Sequence, residues 1–213
     1  MEDIKKKDEA YMRRALIEAQ AAFDEDEIPV GAIIVCKDRI ISRAHNLTEM
    51  LTDVTAHAEM QAITSGANML GGKYLKDCTL YVTVEPCVMC AGALGWAQIS
   101  RVVYGAGDEK RGYTKYAPDA LHPKTTVTSG VLEDECRALM QEFFARKRSE
   151  SFSLSLPGLS LDCKIRMIIQ SPDDYLISTD YLTKTTRYLL VLQKSCELVM
   201  WRVYCLLASR TRE

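Results

Sequence analysis

Charge of one sign is what this sequence most plainly lacks. Its 27 Lys and Arg stand against 29 Asp and Glu, a net charge of −2. That excludes a protein which holds nucleic acid by bulk charge alone, while leaving room for a local basic patch. An unbroken apolar run of membrane length is missing too. A spanning helix needs about 20 mostly apolar residues, and the nearest candidate, 188–208, is interrupted by Lys194, Glu197 and Arg202. Charges inside such a span oppose insertion, so no membrane partner is expected. The opening residues, MEDIKKKDEAYMRR, carry charge but no apolar core of a secretory signal. The expected setting is therefore cytoplasmic and reducing, where cysteines serve metals or catalysis more readily than disulfides. Internal repeats are absent.

What is present is material for a core: 47% of the residues are apolar, enough for one domain of ordinary size with an appendage. Residues 8–23 read as a helix with Ala10, Leu16, Ile17, Ala21 and Phe23 on one side. Strands are expected at 30–35 and 40–44, joined through Lys37-Asp38-Arg39. A helix over 56–69, with Met60, Ile63 and Met69 as its apolar side, ends at Gly71-Gly72. Residues 79–84 are β-branched and aromatic and read as a buried strand. Pro86 then opens a helix at about 87–97. A fourth strand at 101–105 precedes a loop over 106–124 with room for one helical turn. Residues 125–128 are a candidate fifth strand, and 131–147 a closing helix with Arg146, Lys147 and Arg148 at its C-terminal end, where cations suit the helix dipole. Strands alternating with helices imply an α/β layered domain, much of its sheet parallel. The domain is expected to fill residues 1–148. Residues 149–213 open on a Ser-rich, linker-like stretch and form a C-terminal extension to which the sequence assigns no role.

Eight cysteines are scattered along the chain, apart from the pair Cys87 and Cys90. This Cys-x-x-Cys follows the buried strand, and His57-Ala58-Glu59 opens an earlier helix. Residues three apart share a helix face, so both sulfurs can reach one metal. Helix N-termini favour thiolates. Two thiolates neutralise Zn²⁺ formally, and the imidazole of His57 completes three protein ligands. Three ligands leave a fourth position for water, the pattern of catalytic rather than structural zinc. Glu59, two residues past the histidine, is then available to take a proton from that water and return it to a leaving amine. The reaction class is hydrolytic deamination.

His-x-Glu followed by Pro-Cys-x-x-Cys is the signature of the zinc deaminases, and the sequence resembles the cytidine-deaminase-like superfamily. Within it, Ile28-Pro29-Val30-Gly31-Ala32, Ala56-His57-Ala58-Glu59, the segment from Tyr81 to Ala93, and Arg101-Val102-Val103-Tyr104-Gly105-Ala106 are similar to the bacterial tRNA wobble-adenosine deaminases. The resemblance covers about residues 8–148. It implies a three-layer α/β/α domain with a central five-stranded mixed sheet, a homodimer, one Zn²⁺ per subunit, and conversion of adenosine to inosine at position 34 of a tRNA anticodon stem-loop. By match of position it makes His57, Cys87 and Cys90 the zinc ligands and Glu59 the proton shuttle. It sets Asn46 against the base and Asp108 near the ribose; Lys110 and Arg111, beside Asp108, could meet phosphates, and Ile28 is expected at the substrate. Phe143, Phe144 and Arg146 to Arg148 match a helix region that reaches RNA.

Other readings stand beside these. Cys36 or Cys78 could close the zinc as a fourth, structural ligand. Asn46 and Asp108 are also ordinary turn formers, and Arg146 to Arg148 an ordinary solvated helix end. A slight acid excess up to residue 148 suits guanine or another free nucleobase as substrate. A non-catalytic, RNA-binding deaminase-fold subunit is a third possibility, against which the presence of Glu59 speaks.

Overall fold

The computed structural model describes residues 2–151 of the chain. The extension beyond Ser151, with the 188–208 stretch, lies outside the described residues, as do Cys163, Cys196 and Cys205. In order, the elements are α1 (Glu2–Asp24), β1 (Gly31–Cys36), β2 (Arg39–His45), α2 (Ala58–Leu70), β3 (Cys78–Val84), α3 (Val88–Trp96), β4 (Arg101–Ala106), α4 (Tyr113–Tyr116), β5 (Thr126–Thr128) and α5 (Glu133–Ser151). Among the described residues no helix is long and apolar enough to cross a membrane.

The five strands form one sheet in the order β2-β1-β3-β4-β5. β1 runs antiparallel to both β2 and β3, while β3, β4 and β5 are parallel. The sheet is thus mixed, as the resemblance implies, and only its second half carries the parallel character that alternating elements predict. Helices cover both faces, so the central strands read as continuous apolar runs rather than alternating ones. The two faces still separate by the period of two. Ile33, Tyr81 and Val103 stand in register and join Met12, Ala15 and Cys136 in one core. Ile34, Leu80 and Val102, one position on, pack with Ala58, Ala62 and Leu94 in the other. Those two cores are the interfaces of a three-layer α/β/α sandwich.

The helices lie on the sheet through different residues than their bulk suggests. α2 buries Ala58, Glu59, Ala62 and Gly66, while Met69 is 68% exposed. α1 buries Asp8, Met12, Ala15, Ala19 and Ala22, and Ile17 is exposed. Small residues at i, i+3 and i+4 let backbones approach, and the large apolar side chains are left outward. Gly31 shows how close α1 comes. A Cβ there would lie 2.1 Å from the Ala15 carbonyl oxygen and 2.3 Å from the Ala19 nitrogen. α1 also begins earlier than expected, at Glu2; its first turns are charged and carry no apolar periodicity, but Glu2 and Asp3 suit a helix N-terminus.

One partly buried ion pair fastens α1 to the sheet. Arg101 grips Asp8 with both guanidinium nitrogens, at 2.8 and 2.7 Å, and the Tyr81 hydroxyl donates to Asp8 Oδ1 at 2.9 Å.

Candidate active site

The topology delivers four loops of the site to one end of the sheet. β3 and β4 end there, β1 starts there, and β2, antiparallel to β1, ends there with His45 opposite Gly31. The backbone N–H of Asn46 donates to the Val30 carbonyl at 3.0 Å, and that of Leu47 to the Ala56 carbonyl at 3.0 Å. These bonds bring Ile28 to Val30, Asn46 and the entry to α2 side by side. On the other flank Cys87 bridges to Gly112, and the Tyr113 N–H donates to the Pro86 carbonyl at 3.0 Å. All eight residues expected at the site therefore sit at this end.

His57 and Cys87 are the residues immediately before α2 and α3, with extended backbone (φ −65°, ψ 153° and φ −73°, ψ 172°), rather than members of the first turns. Cys90 lies inside the first turn of α3 and is fully buried. His57 Nδ1 stands 3.7 Å from Cys87 Sγ and 3.5 Å from Cys90 Sγ, and the three ligand atoms all fall within 4.8 Å of one another. Zinc bonded tetrahedrally at about 2.3 Å to sulfur and about 2.0 Å to nitrogen sets its ligand atoms roughly 3.6 Å apart. The spacing and the donor set both fit that ion. Among the described residues the cluster has three members. Cys36 and Cys78 face each other across the β1–β3 ladder at the far end of the sheet, so neither supplies a fourth ligand, and the structural-zinc reading through them is set aside.

Glu59 follows in the first turn of α2 and is 3% exposed. Burial pushes its carboxyl up to about 7, against the opposing pull of its own backbone N–H and of His57. A buried carboxyl beside the ligand cluster is placed to act as a general acid–base. Cys87 is drawn down to about 4, first by a hydrogen bond from the Cys90 thiol and then by His57. Cys90 is held protonated by that same bond and by burial. Coordination to a dication deprotonates such a thiol outright.

The residues expected around the substrate are placed less uniformly. Asn46 is buried, and its amide nitrogen donates to Glu27 Oε2 and to Thr48 Oγ1, each at 2.9 Å. Glu27 is buried too, and its second oxygen accepts from the Met50 N–H at 2.7 Å. Asp108 Oδ1 accepts from the backbone N–H of Lys110 at 2.9 Å and of Arg111 at 3.0 Å, so this carboxylate shapes its own turn. Lys110 is exposed, and Ile28 is exposed at the rim. The C-terminal helix departs from expectation. Phe143 is buried against Phe23, with ring centroids 5.8 Å apart. Arg146 donates to the Phe23 carbonyl and to Asp26, each at 3.0 Å, and Lys147 pairs with Asp26. These side chains fasten α5 to the end of α1 instead of standing free for RNA.

At this end of the sheet two buried carboxylates, Glu27 and Glu85, were not expected from the sequence. Glu27 hides at the end of an acidic run that reads as solvated. Glu85 had a signal: it stands between the apolar strand and Pro86, where the chain is still inside the protein.

Comparison with known proteins agrees with this geometry. The model of the cytidine and deoxycytidylate deaminase zinc-binding region matches residues 5–106. A tRNA-specific adenosine deaminase of Agrobacterium fabrum is 41% identical over 143 residues, which is 65% of this chain and 94% of that protein. The chloroplastic tRNA(adenine(34)) deaminase of Arabidopsis thaliana is 44% identical over 158 residues, 64% of this chain, although the chain spans only 12% of that much longer protein. Among solved structures, one from work on A-to-I editing by tRNA:A34 deaminases is similar with a TM-score of 0.58 and 41% identity, covering 61% of this chain and 98% of that one. On these grounds the chain belongs to the family of tRNA-specific adenosine deaminases, and residues 5–106 are its zinc-binding deaminase region.

Proposed function

We propose that this chain deaminates adenosine to inosine at the wobble position, 34, of a tRNA anticodon stem-loop, by zinc-dependent hydrolysis. The observation that carries the reading is a three-ligand cluster with a buried carboxylate, Glu59, in the same helical turn as one ligand's neighbours. His57, Cys87 and Cys90 would hold one Zn²⁺ per subunit. When bound, the ion supplies a Lewis acid that makes water acidic enough to ionise near neutral pH.

The chain's own residues do the rest. Glu59 takes the proton of the attacking water, carries it to the purine ring nitrogen, and later delivers a proton to the departing amine. Burial keeps it within reach of that exchange and away from bulk water. His57 presents Nδ1 to both sulfurs, so its mobile proton belongs on Nε2. Asn46, oriented by Glu27, reads the base edge in this proposal. Ile28 offers an apolar wall, and Asp108 and Lys110 flank the ribose and phosphate. A base can reach such a pocket only when turned out of its stack, which costs least in a loop.

The proposed catalytic unit is residues 1–148, with 149–213 as an extension, acting in the cytoplasm. A homodimer is supported by a band of exposed apolar side chains on and beside α2 and α3, among them Trp96, Val88 and Tyr74; patches of this kind mark protein contacts. The test is to incubate the purified protein with an adenosine-34 stem-loop and, separately, with guanine. Inosine in the RNA supports the reading. Ammonia from guanine alone would replace it with a free-base deaminase.

A further inference from the structure

Glu85 has no part in the chemistry, yet it lies directly between β3 and the ligand Cys87. The residue is buried, 7% exposed, and its carboxylate oxygens accept from donors of one loop. Oε2 accepts from the Asp108 N–H at 3.0 Å. Oε1 accepts from the Thr114 N–H at 3.1 Å and the Thr114 hydroxyl at 2.6 Å. One side chain thus grips both ends of the loop 108–114. Gly112, in the middle, lies against that grip: a Cβ there would come within 2.4 Å of Glu85 Cδ and 2.5 Å of the Asp108 carbonyl oxygen. The same glycine bridges to Cys87.

We infer that Glu85 is a positioning residue for substrate, which fixes the Asp108-Lys110 loop at a set height above the metal-ligand helix. The inference rests on the tRNA-deaminase reading, since that reading gives Asp108 and Lys110 their substrate. The loop carries no strand or long helix of its own, so its place depends on this clasp together with the Tyr113–Pro86 bond, the Gly112–Cys87 bridge and the burial of Tyr113.

The chemistry of the three donors makes Glu85→Gln a directional probe. A primary amide offers one accepting oxygen and one NH2 group that only donates. Facing its oxygen to Thr114 preserves two bonds; its nitrogen then meets the Asp108 N–H, which cannot accept. The Asp108 end is therefore released while the Thr114 end stays held. KM for the stem-loop should rise about tenfold, with kcat within about twofold and zinc content unchanged. Amide hydrogen exchange should quicken at Asp108 more than at Thr114. Thr114→Val, which removes only the hydroxyl, should raise KM less. Zinc lost in step with activity would make Glu85 a support of the ligand helix and overturn the inference. So would a Glu85→Gln protein that matches active wild type in KM and exchange. Wild-type protein that makes no inosine would instead end the functional reading, and the inference with it.

Discussion

The amide nitrogen of Asn46 points at the carboxylate of Glu27, 2.9 Å away, and both side chains are buried. The residue expected to read the base is therefore itself aimed by a group that no substrate need touch. Glu27→Ala would leave a buried amide N–H and the Met50 N–H short of an acceptor. Each unsatisfied buried group costs about 1–3 kcal/mol. The variant should unfold at lower denaturant and show a raised KM for RNA, with zinc retained. A wild-type KM alongside lost stability would confine Glu27 to the fold.

Removing the proton carrier should separate chemistry from metal binding. Glu59→Ala is expected to lower turnover by about 10²–10⁴ while zinc, measured by elemental analysis, stays bound. Cys90→Ala should lose both. Chelation of wild-type protein should abolish activity, and added zinc restore it. Near-normal turnover in Glu59→Ala would remove the proton-shuttle role.

Two thiols remote from the proposed chemistry make alkaline stability predictable. Burial pushes Cys78 and Cys136 each up to about 12. Their folded values lie above those of the open chain, so the folded state keeps protons that the unfolded state gives up. Their contribution is complete below about pH 8.5, the ordinary thiol value, and is lost as pH climbs from there toward 12. Denaturation midpoints should fall across that window. Cys136→Ala should show a shallower fall than wild type, whatever its stability at pH 7. Parallel curves would show that the thiol is not responsible.

Chain length tests the domain boundary. α5 continues through Ser151, three residues past the boundary expected from sequence. A chain ending at Ser151 should deaminate the stem-loop with kcat/KM close to that of the full chain, and sediment as the same oligomer. Loss of soluble protein would place part of the fold in the extension.

The order of elements and the clustering of His57, Cys87 and Cys90 were legible in the sequence because each rests on local chemistry. The β3 run announces itself by composition, and His57, Cys87 and Cys90 by spacing. The buried sides of α1 and α2 were not legible. Hydrophobic periodicity selects the bulkiest residues, whereas Ala15, Ala19, Ala62 and Gly66 are buried because they are small. The roles of Glu27, Glu85 and Arg146 were hidden for another reason. Their partners stand 19 or more residues away along the chain in most of their bonds, as with Arg146 and Asp26, separated by 120. Only the tertiary fold brings such donors and acceptors together.

The tight seat of Gly31 on α1 has a consequence for engineering. Bare main chain touches bare main chain there, leaving no cushion of side chain to absorb a shift. Any bulk introduced at Ala15 or Ala19 would lever the first strand sideways. The lip that carries Ile28 and the rail that carries Asn46 would travel with it, because both hang from the start of that strand. Mutagenesis intended to stiffen the outer helix should therefore be expected to retune substrate choice at the end of the sheet where that strand begins.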